Sequence, residues 1–246
     1  MRIVVGLLAG IKALRLLRSF GLTLPPSEVL RAPYLEALPL IEPKYVLGAV
    51  FVAAVLFTVG LLTRVSGSAL AIVMGYWLMM DRQLYLNHLY LLFLLVVLLV
   101  VSDSGRAYSI DALRRGRGSV PYWGVTLIKL QLSMVYAFAA LAKLNPDFLH
   151  GEVLVGQLPV DPGKARMLAV ATILVEAWLA IGLWLPRFLW PTIVLGVLFH
   201  LGTALSIAPM IDLLIFGGLS VAPYLLFLAY REPPIGHGTE PALMRT

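Results

Sequence analysis

Lys129, Tyr136 and Lys143 fall seven residues apart inside one apolar run, a spacing that returns to nearly the same face of a helix. At a rise of about 1.5 Å per residue the two lysines stand roughly 21 Å apart, near opposite boundaries of a membrane. An ionisable side chain held away from the headgroups costs at least a few kcal/mol, so each one needs a partner or a task. His88 opens one apolar run and Lys143 closes the next, so both belong at one membrane face. His200 and Asp212 fall toward that same side, and Glu176 is expected near mid-membrane, buried and partnered by a lysine, a histidine or a backbone donor. Lysine, histidine and carboxylate gathered toward one leaflet are the residue types of proton transfer. The same set could equally make a structural ion pair beside hydrogen-bonded core histidines, with Lys129 and Lys143 as two interfacial anchors. Lys12, Arg15 and Arg18 recur every three residues; snorkelling to lipid phosphate is the preferred reading, a substrate-facing stripe the other.

Several chemistries are excluded. Cysteine is absent, which removes disulfides, thiolate metal sites and a thiol nucleophile. No two histidines, and no two carboxylates, stand at the i, i+3 or i, i+4 spacing of local metal ligands, so no metal is expected. No Gly-rich phosphate loop and no GxSxG nucleophile elbow occurs. The pI near 9.7 does not point to nucleic acid, because the basic residues sit between apolar runs and form no stripe with aromatics.

The elements that must position these residues are apolar. Apolar side chains make up 60 % of the 246 residues, charged ones 13 %, and the mean hydropathy is +0.91; soluble domains carry about twice that charge. Eight apolar stretches cover residues 3–20, 45–63, 67–80, 88–102, 122–144, 165–185, 188–207 and 210–230. In lipid they must be helical, since single strands would leave backbone groups unpaired. The expected fold is an all-α polytopic transmembrane bundle of about eight helices, one domain over 1–246 without a separate soluble domain. Met1-Arg2 and the following run lack a cleavage site and read as an uncleaved first helix. Pro25, Pro26, Pro33, Pro39 and Pro43 mark 21–44 as an irregular interfacial connection. The 103–121 connection carries Arg106, Arg114, Arg115 and Arg117, on the side of Arg2, Arg64, Arg187 and Arg231. That excess places both termini in the cytoplasm. The arginine-rich composition points to a bacterial gene, hence an inner-membrane protein.

Certain motifs are more specific. Asn87-His88-Leu89-Tyr90-Leu91 precedes an apolar helix; Ser109-Ile110-Asp111-Ala112-Leu113, a basic turn and Pro121-Tyr122-Trp123 follow; then comes QLSMVYAFAALAKLNPDFLHG over 131–151. In order and spacing these resemble the transmembrane part of the vitamin K-dependent gamma-carboxylases and their bacterial relatives, the HTTM family. The likeness covers roughly residues 2–230 and takes in Glu176 as an intramembrane acid and Phe199-His200 late in the bundle.

The resemblance implies an enzyme that couples oxidation of a vitamin K hydroquinone- or menaquinol-like quinol by O2 to carboxylation of glutamyl residues with CO2. It assigns Lys143 as the base that deprotonates the quinol and His88 as an active-site assistant, with Asn87, Tyr136, Glu176 and His200 around the pocket. The family has two consecutive lysines where this chain has Ala142-Lys143. The partners implied are membrane lipid, the quinol, and a peptide or protein substrate or separate soluble partner. The site faces the extracytoplasmic side, and Lys143 is expected within reach of His88, directly or through the quinol head group. Animal carboxylases carry a lumenal domain after the bundle, whereas the expectation here is a bundle alone, which makes quinol chemistry firmer than carboxylation. Two further readings are a DoxX-like quinone-linked oxidoreductase subunit and a non-catalytic membrane scaffold.

Overall fold

Gly60 shows how this chain breaks an otherwise continuous apolar sequence. It takes φ +72°, and its N–H donates to Phe57 O at 3.2 Å while Leu61 N–H reaches Leu56 O at 3.0 Å. This is a Schellman stop, which suits glycine because the left-handed conformation crowds a Cβ. Helix α2 (Pro43–Val59) therefore ends four residues before the apolar stretch does, and α3 (Thr63–Met80) starts four residues before its own.

The computed structural model describes residues 1–19, 39, 41–80, 86–207 and 210–229. Most of the 21–44 connection, all but the end of 81–87 and the turn at Pro209 lie outside the described residues. The remaining long helices are α1 (Arg2–Ser19), α4 (Asn87–Val101), α6 (Tyr122–Ala142), α9 (Pro162–Gly182) and α10 (Leu189–Ser206). Each of the eight apolar stretches falls on a helix, but the helices outnumber them. Short helices α5 (Ile110–Arg115), α7 (Pro146–Leu149) and α8 (Glu152–Val155) occupy the connections, and the last stretch divides into α11 (Met210–Val221) and α12 (Tyr224–Ala229). Caps explain the starts. Ser109, Asn145 and Asp161 accept from the N–H three residues on, at 2.8, 3.0 and 3.0 Å, and Pro146 and Pro162 supply the preset first helical φ.

Helices α1 to α4 pack in sequence; α6 packs on α9 and α10 on α11, while α4 touches α6 and both α1 and α4 touch α11. One buried core joins Val5, Ala54, Phe57, Leu70 and Leu95 to Ile128 and Leu219 of the second half. The other is built from Leu132, Tyr136, Leu179, Leu189, Tyr224 and Phe227. Outside these cores the helices present apolar faces: Ile72, Phe138, Leu174, Ile181, Leu198 and Leu205 are all more than half exposed. Such a surface suits lipid rather than water. Tyr122–Ala142, Pro162–Gly182, Leu189–Ser206 and Met210–Ala229 are long and apolar enough to cross a membrane, and α2 and α4 are shorter apolar helices. The protein is an all-helical integral membrane bundle.

One end of the bundle is held by the Ser109-Ile110-Asp111 motif. Asp111 carboxylate oxygens accept from Leu62 N–H at 3.0 Å, Thr63 N–H at 2.6 Å and Thr63 Oγ1 at 2.8 Å, and Asp111 N–H donates to Gly60 O at 3.0 Å. Arg2 reaches Thr63 Oγ1 at 3.4 Å and the Tyr108 carbonyl. Burial opposes the Asp111 charge, but the Thr63 and Leu62 donors, with Arg115 nearby, outweigh it and hold its pKa below the usual aspartate value. Asp111→Ala should cost about 1–3 kcal/mol, since it orphans the donors opening α3. A native pKa lowered on folding stabilises above the ordinary aspartate value of about 3.9, and that contribution disappears as pH falls through the folded value. Melting in detergent should show the variant's deficit at pH 7 and its shrinkage below about pH 4; an equal deficit at pH 3 would contradict the carboxylate's role.

Candidate active site

Lys143 stands where α6 ends. Its N–H closes the last turn on Ala140 O at 3.2 Å, and Asn145 fixes the exit by donating to Ala142 O at 2.9 Å while capping α7. Gly151 at φ +80° then turns α8 against α9, where a Cβ would press on the Ala165–Arg166 backbone. The NPDFLHG motif is thus a bracket that presents Lys143 to α9. Lys143 Nζ donates to both Glu176 oxygens at 2.8 Å and to Ala139 O at 3.3 Å, and lies 5.8 Å from the Phe148 ring centre. Glu176 is buried and its partner is a lysine, as expected for an acid in that position. Two-thirds of the way along α9, it lies at the level of the end of α6, because the first turns of α9 extend past α6 to pack on α7 and α8 through Ala165 and Ala169.

About two helical turns deeper on the same stripe, Tyr136 Oη meets His200 Nε2 at 2.8 Å and Tyr224 Oη at 2.5 Å. All three side chains are buried, and the imidazole is edged by Phe199 and Phe216 at 5.4 and 5.7 Å. The close approach of α10 to Tyr224 depends on Gly196, where any Cβ would collide with the phenol. Lys129, the third member of the stripe, is not an interfacial anchor. It is 4 % exposed, and its ammonium lies 5.1, 5.7 and 6.0 Å from the ring centres of Phe227, Tyr122 and Trp184, within cation–π range.

His88 belongs to a different group. Its Nε2 is 3.9 Å from Asp212 Oδ1, beyond hydrogen-bond distance, and is buried without a partner among the described residues. Asp212 is held by Lys12 Nζ at 2.7 Å and Arg15 Nη1 at 3.0 Å. The snorkelling reading therefore fails for Lys12, which is 4 % exposed and turned inward to a carboxylate two hundred residues away. No hydrogen bond or ion pair joins Lys143 to His88 among the described residues; each faces its own acid.

A cleft of about 480 Å³ is bounded by α4, α6 and α11, with Asn87, Tyr90, Gln131, Phe138, Ala142 and Phe216 among its walls. Its lining residues Asn87 and Ala142 are the chain neighbours of His88 and Lys143, whose own side chains are not among its walls. A mostly apolar cleft of this size with a few amides suits a flat, lipid-soluble ring. Sequence reasoning missed Tyr224, which has no motif of its own, and missed that Lys12 and Asp212 are partners. An inward lysine and a lone acid in separate apolar runs were the only signal for that pair.

No solved structure matches this chain. The family model of the HTTM domain matches residues 1–205, so Tyr224 and Asp212 lie beyond the matched span although both complete groups within it. With five-sixths of its length matched, and with the motifs that build the Lys143 bracket and the Asp111 clamp inside that span, the chain belongs to the HTTM family.

Proposed function

We propose that this protein is a quinol-dependent membrane enzyme of the vitamin K-dependent carboxylase type. The observation that carries the reading is the Lys143–Glu176 pair at the end of α6, the helix that also forms one wall of the α4–α6–α11 cleft. A quinol entering from the bilayer lies in the cavity with a hydroxyl toward Lys143. The pair as a unit takes one proton: the ammonium relays it, the Glu176 carboxylate ends protonated, and the positive charge stays beside the quinol anion it has created. That arrangement needs no permanently neutral lysine. Asn87 and Tyr90 bound the opposite wall, with His88 next to Asn87 in the chain, and Tyr136 with His200 lies deeper on the stripe of Lys143.

The overall balance follows. Quinol and O2 give the quinone epoxide and water, one oxygen atom in each. The base generated on the way removes a glutamyl γ proton, and the carbanion takes up CO2 to give γ-carboxyglutamate. The glutamyl group comes from a peptide or protein, with or without a separate soluble partner. Reconstituted protein should consume O2 when given a menaquinol-type quinol and release the epoxide, and an organic extract of the purified protein should contain a quinone. Oxygen uptake no greater than that of empty vesicles would end the proposal; uptake without CO2 fixation into glutamyl peptides would leave a quinol oxidase.

In this reading the enzyme sits in a bacterial inner membrane with both termini cytoplasmic and Lys143 toward the outside. The absence of cysteine allows a direct check. A single cysteine at Gln157 should label in intact cells and one at Arg115 should not; the reverse pattern would invert the topology.

A further inference from the structure

At the end of the bundle opposite Lys143, a groove of about 620 Å³ runs between the α2–α3 turn and the α4–α6 connection. Four of its lining residues are Arg64, Arg106, Arg115 and Arg117, and two are Asp103 and Asp111. The acids are already engaged. Asp103 accepts from Nε of Arg64 at 3.1 Å and of Arg106 at 2.5 Å, and the Asp111 oxygens are occupied by Leu62 and Thr63. The terminal amines of Arg64 and Arg106 make no hydrogen bond among the described residues; Arg115 acts on Asp111 only through space, and Arg117 lies 5.7 Å from the Tyr108 ring centre, neither with a hydrogen-bonded carboxylate there. The groove thus offers planar cations with open donors, the form that suits phosphate oxygens.

A second groove of about 320 Å³ shares Ala112 and Arg117 with the first and is otherwise mostly apolar, lined by Val59, Tyr108, Ile110 and Leu113. Tyr108 and Leu113 are 80 % and 83 % exposed, and Leu62 and Val65 are 54 % and 65 % exposed. Short helix α5 lies between the two. Its first residues are anchored to the α2–α3 turn through Asp111, and its last turn carries Arg114 and Arg115. Exposed large apolar side chains directly beside guanidiniums with open donors are poorly suited to water and well suited to the layer where acyl chains meet headgroups.

We propose that these adjoining grooves bind one anionic phospholipid, its phosphate among Arg64, Arg106, Arg115 and Arg117 and the start of one acyl chain against Tyr108 and Leu113. The occupant is identified by charge and by the polar–apolar division, and the assignment is independent of the reaction proposed above. Its role is to hold the α4–α6 connection, and with it the Asp111 clamp, at the membrane boundary.

Native mass spectrometry of the full chain in neutral detergent tests this, with phosphatidylglycerol, phosphatidylcholine and inorganic phosphate as probes. The expected result is preferential retention of one phosphatidylglycerol. Arg115→Gln/Arg117→Gln should weaken it by about fivefold for each charge removed near the surface. Arg187→Gln, a basic residue outside the groove, should leave it unchanged, and Leu113→Ser should weaken phosphatidylglycerol while leaving the arginines and the Tyr108 ring that packs on Arg117 in place. Equal retention of phosphatidylcholine, displacement of the lipid by millimolar phosphate, or indifference to the arginine changes would each overturn the proposal. Should the double glutamine variant fail to fold, Arg115→Lys/Arg117→Lys retains the charge but not the planar fork; it should bind more weakly than the native chain, and unchanged binding would count against the site.

Discussion

Lys143→Ala is expected to lose stability and turnover together, and a second substitution should separate them. Removing the ammonium leaves the buried Glu176 carboxylate without its bidentate partner, a loss of about 3–5 kcal/mol when one member of a buried pair is deleted. Lys143→Ala/Glu176→Gln removes the orphaned charge as well, so much of the melting temperature should return. Turnover should not, because neither a relay nor a terminal acceptor remains. Lys143→Arg keeps the charge and the fork to the carboxylate, so it should fold, yet guanidinium does not yield its proton at any working pH. Quinol-dependent oxygen uptake should therefore fall by at least the hundredfold typical of a lost acid–base group, and a small amine supplied in solution should restore part of the rate in Lys143→Ala/Glu176→Gln. An arginine variant with near-native uptake would reduce Lys143 to a structural cation.

Asp212→Leu should be the other severe change. Asp212 is the only acid placed against Lys12 and Arg15 among the described residues, at 2.7 and 3.0 Å. Without it the inward Lys12 faces another cation in an apolar setting, and a deficit of about 3–5 kcal/mol follows. Lys12→Leu/Asp212→Leu should recover most of it, since a buried ion pair replaced by well-packed apolar residues is often neutral. Yield and melting temperature in detergent measure both. If Asp212→Leu were as stable as the native chain, Lys12 would have to find water by snorkelling after all.

These two groups mark what could be read from the sequence. The apolar runs announced the bundle, because lipid leaves helices as the only way to satisfy the backbone, and every run fell on a helix. The α2–α3 boundary was blurred, since hydropathy does not register the backbone angle that Gly60 adopts. Within the site, the stripe of Tyr136 and Lys143 followed from helical periodicity alone. The company each residue keeps did not. Periodicity fixes a face but not the helix opposite it, so Glu176 was expected to have some partner and proved to have Lys143. His88, expected within reach of Lys143 directly or through a quinol head group, makes no direct contact with it among the described residues and lies 3.9 Å from Asp212. The family resemblance supplied roles; only the packing separated one presumed cluster into three.

The Lys12–Asp212 bridge also sets an order of events in biosynthesis. Helix α1 carries its cations into the membrane first, and it is not among the helices long and apolar enough to cross by themselves. Their counter-charge is two hundred residues downstream, roughly 10–40 s later at ordinary synthesis rates. During that interval α1 must wait at the interface or shelter against α2, and its final seating is a late step that completes the bundle. A ribosome stalled before Asp212 should leave α1 accessible from water, and release of the chain beyond α11 should close it.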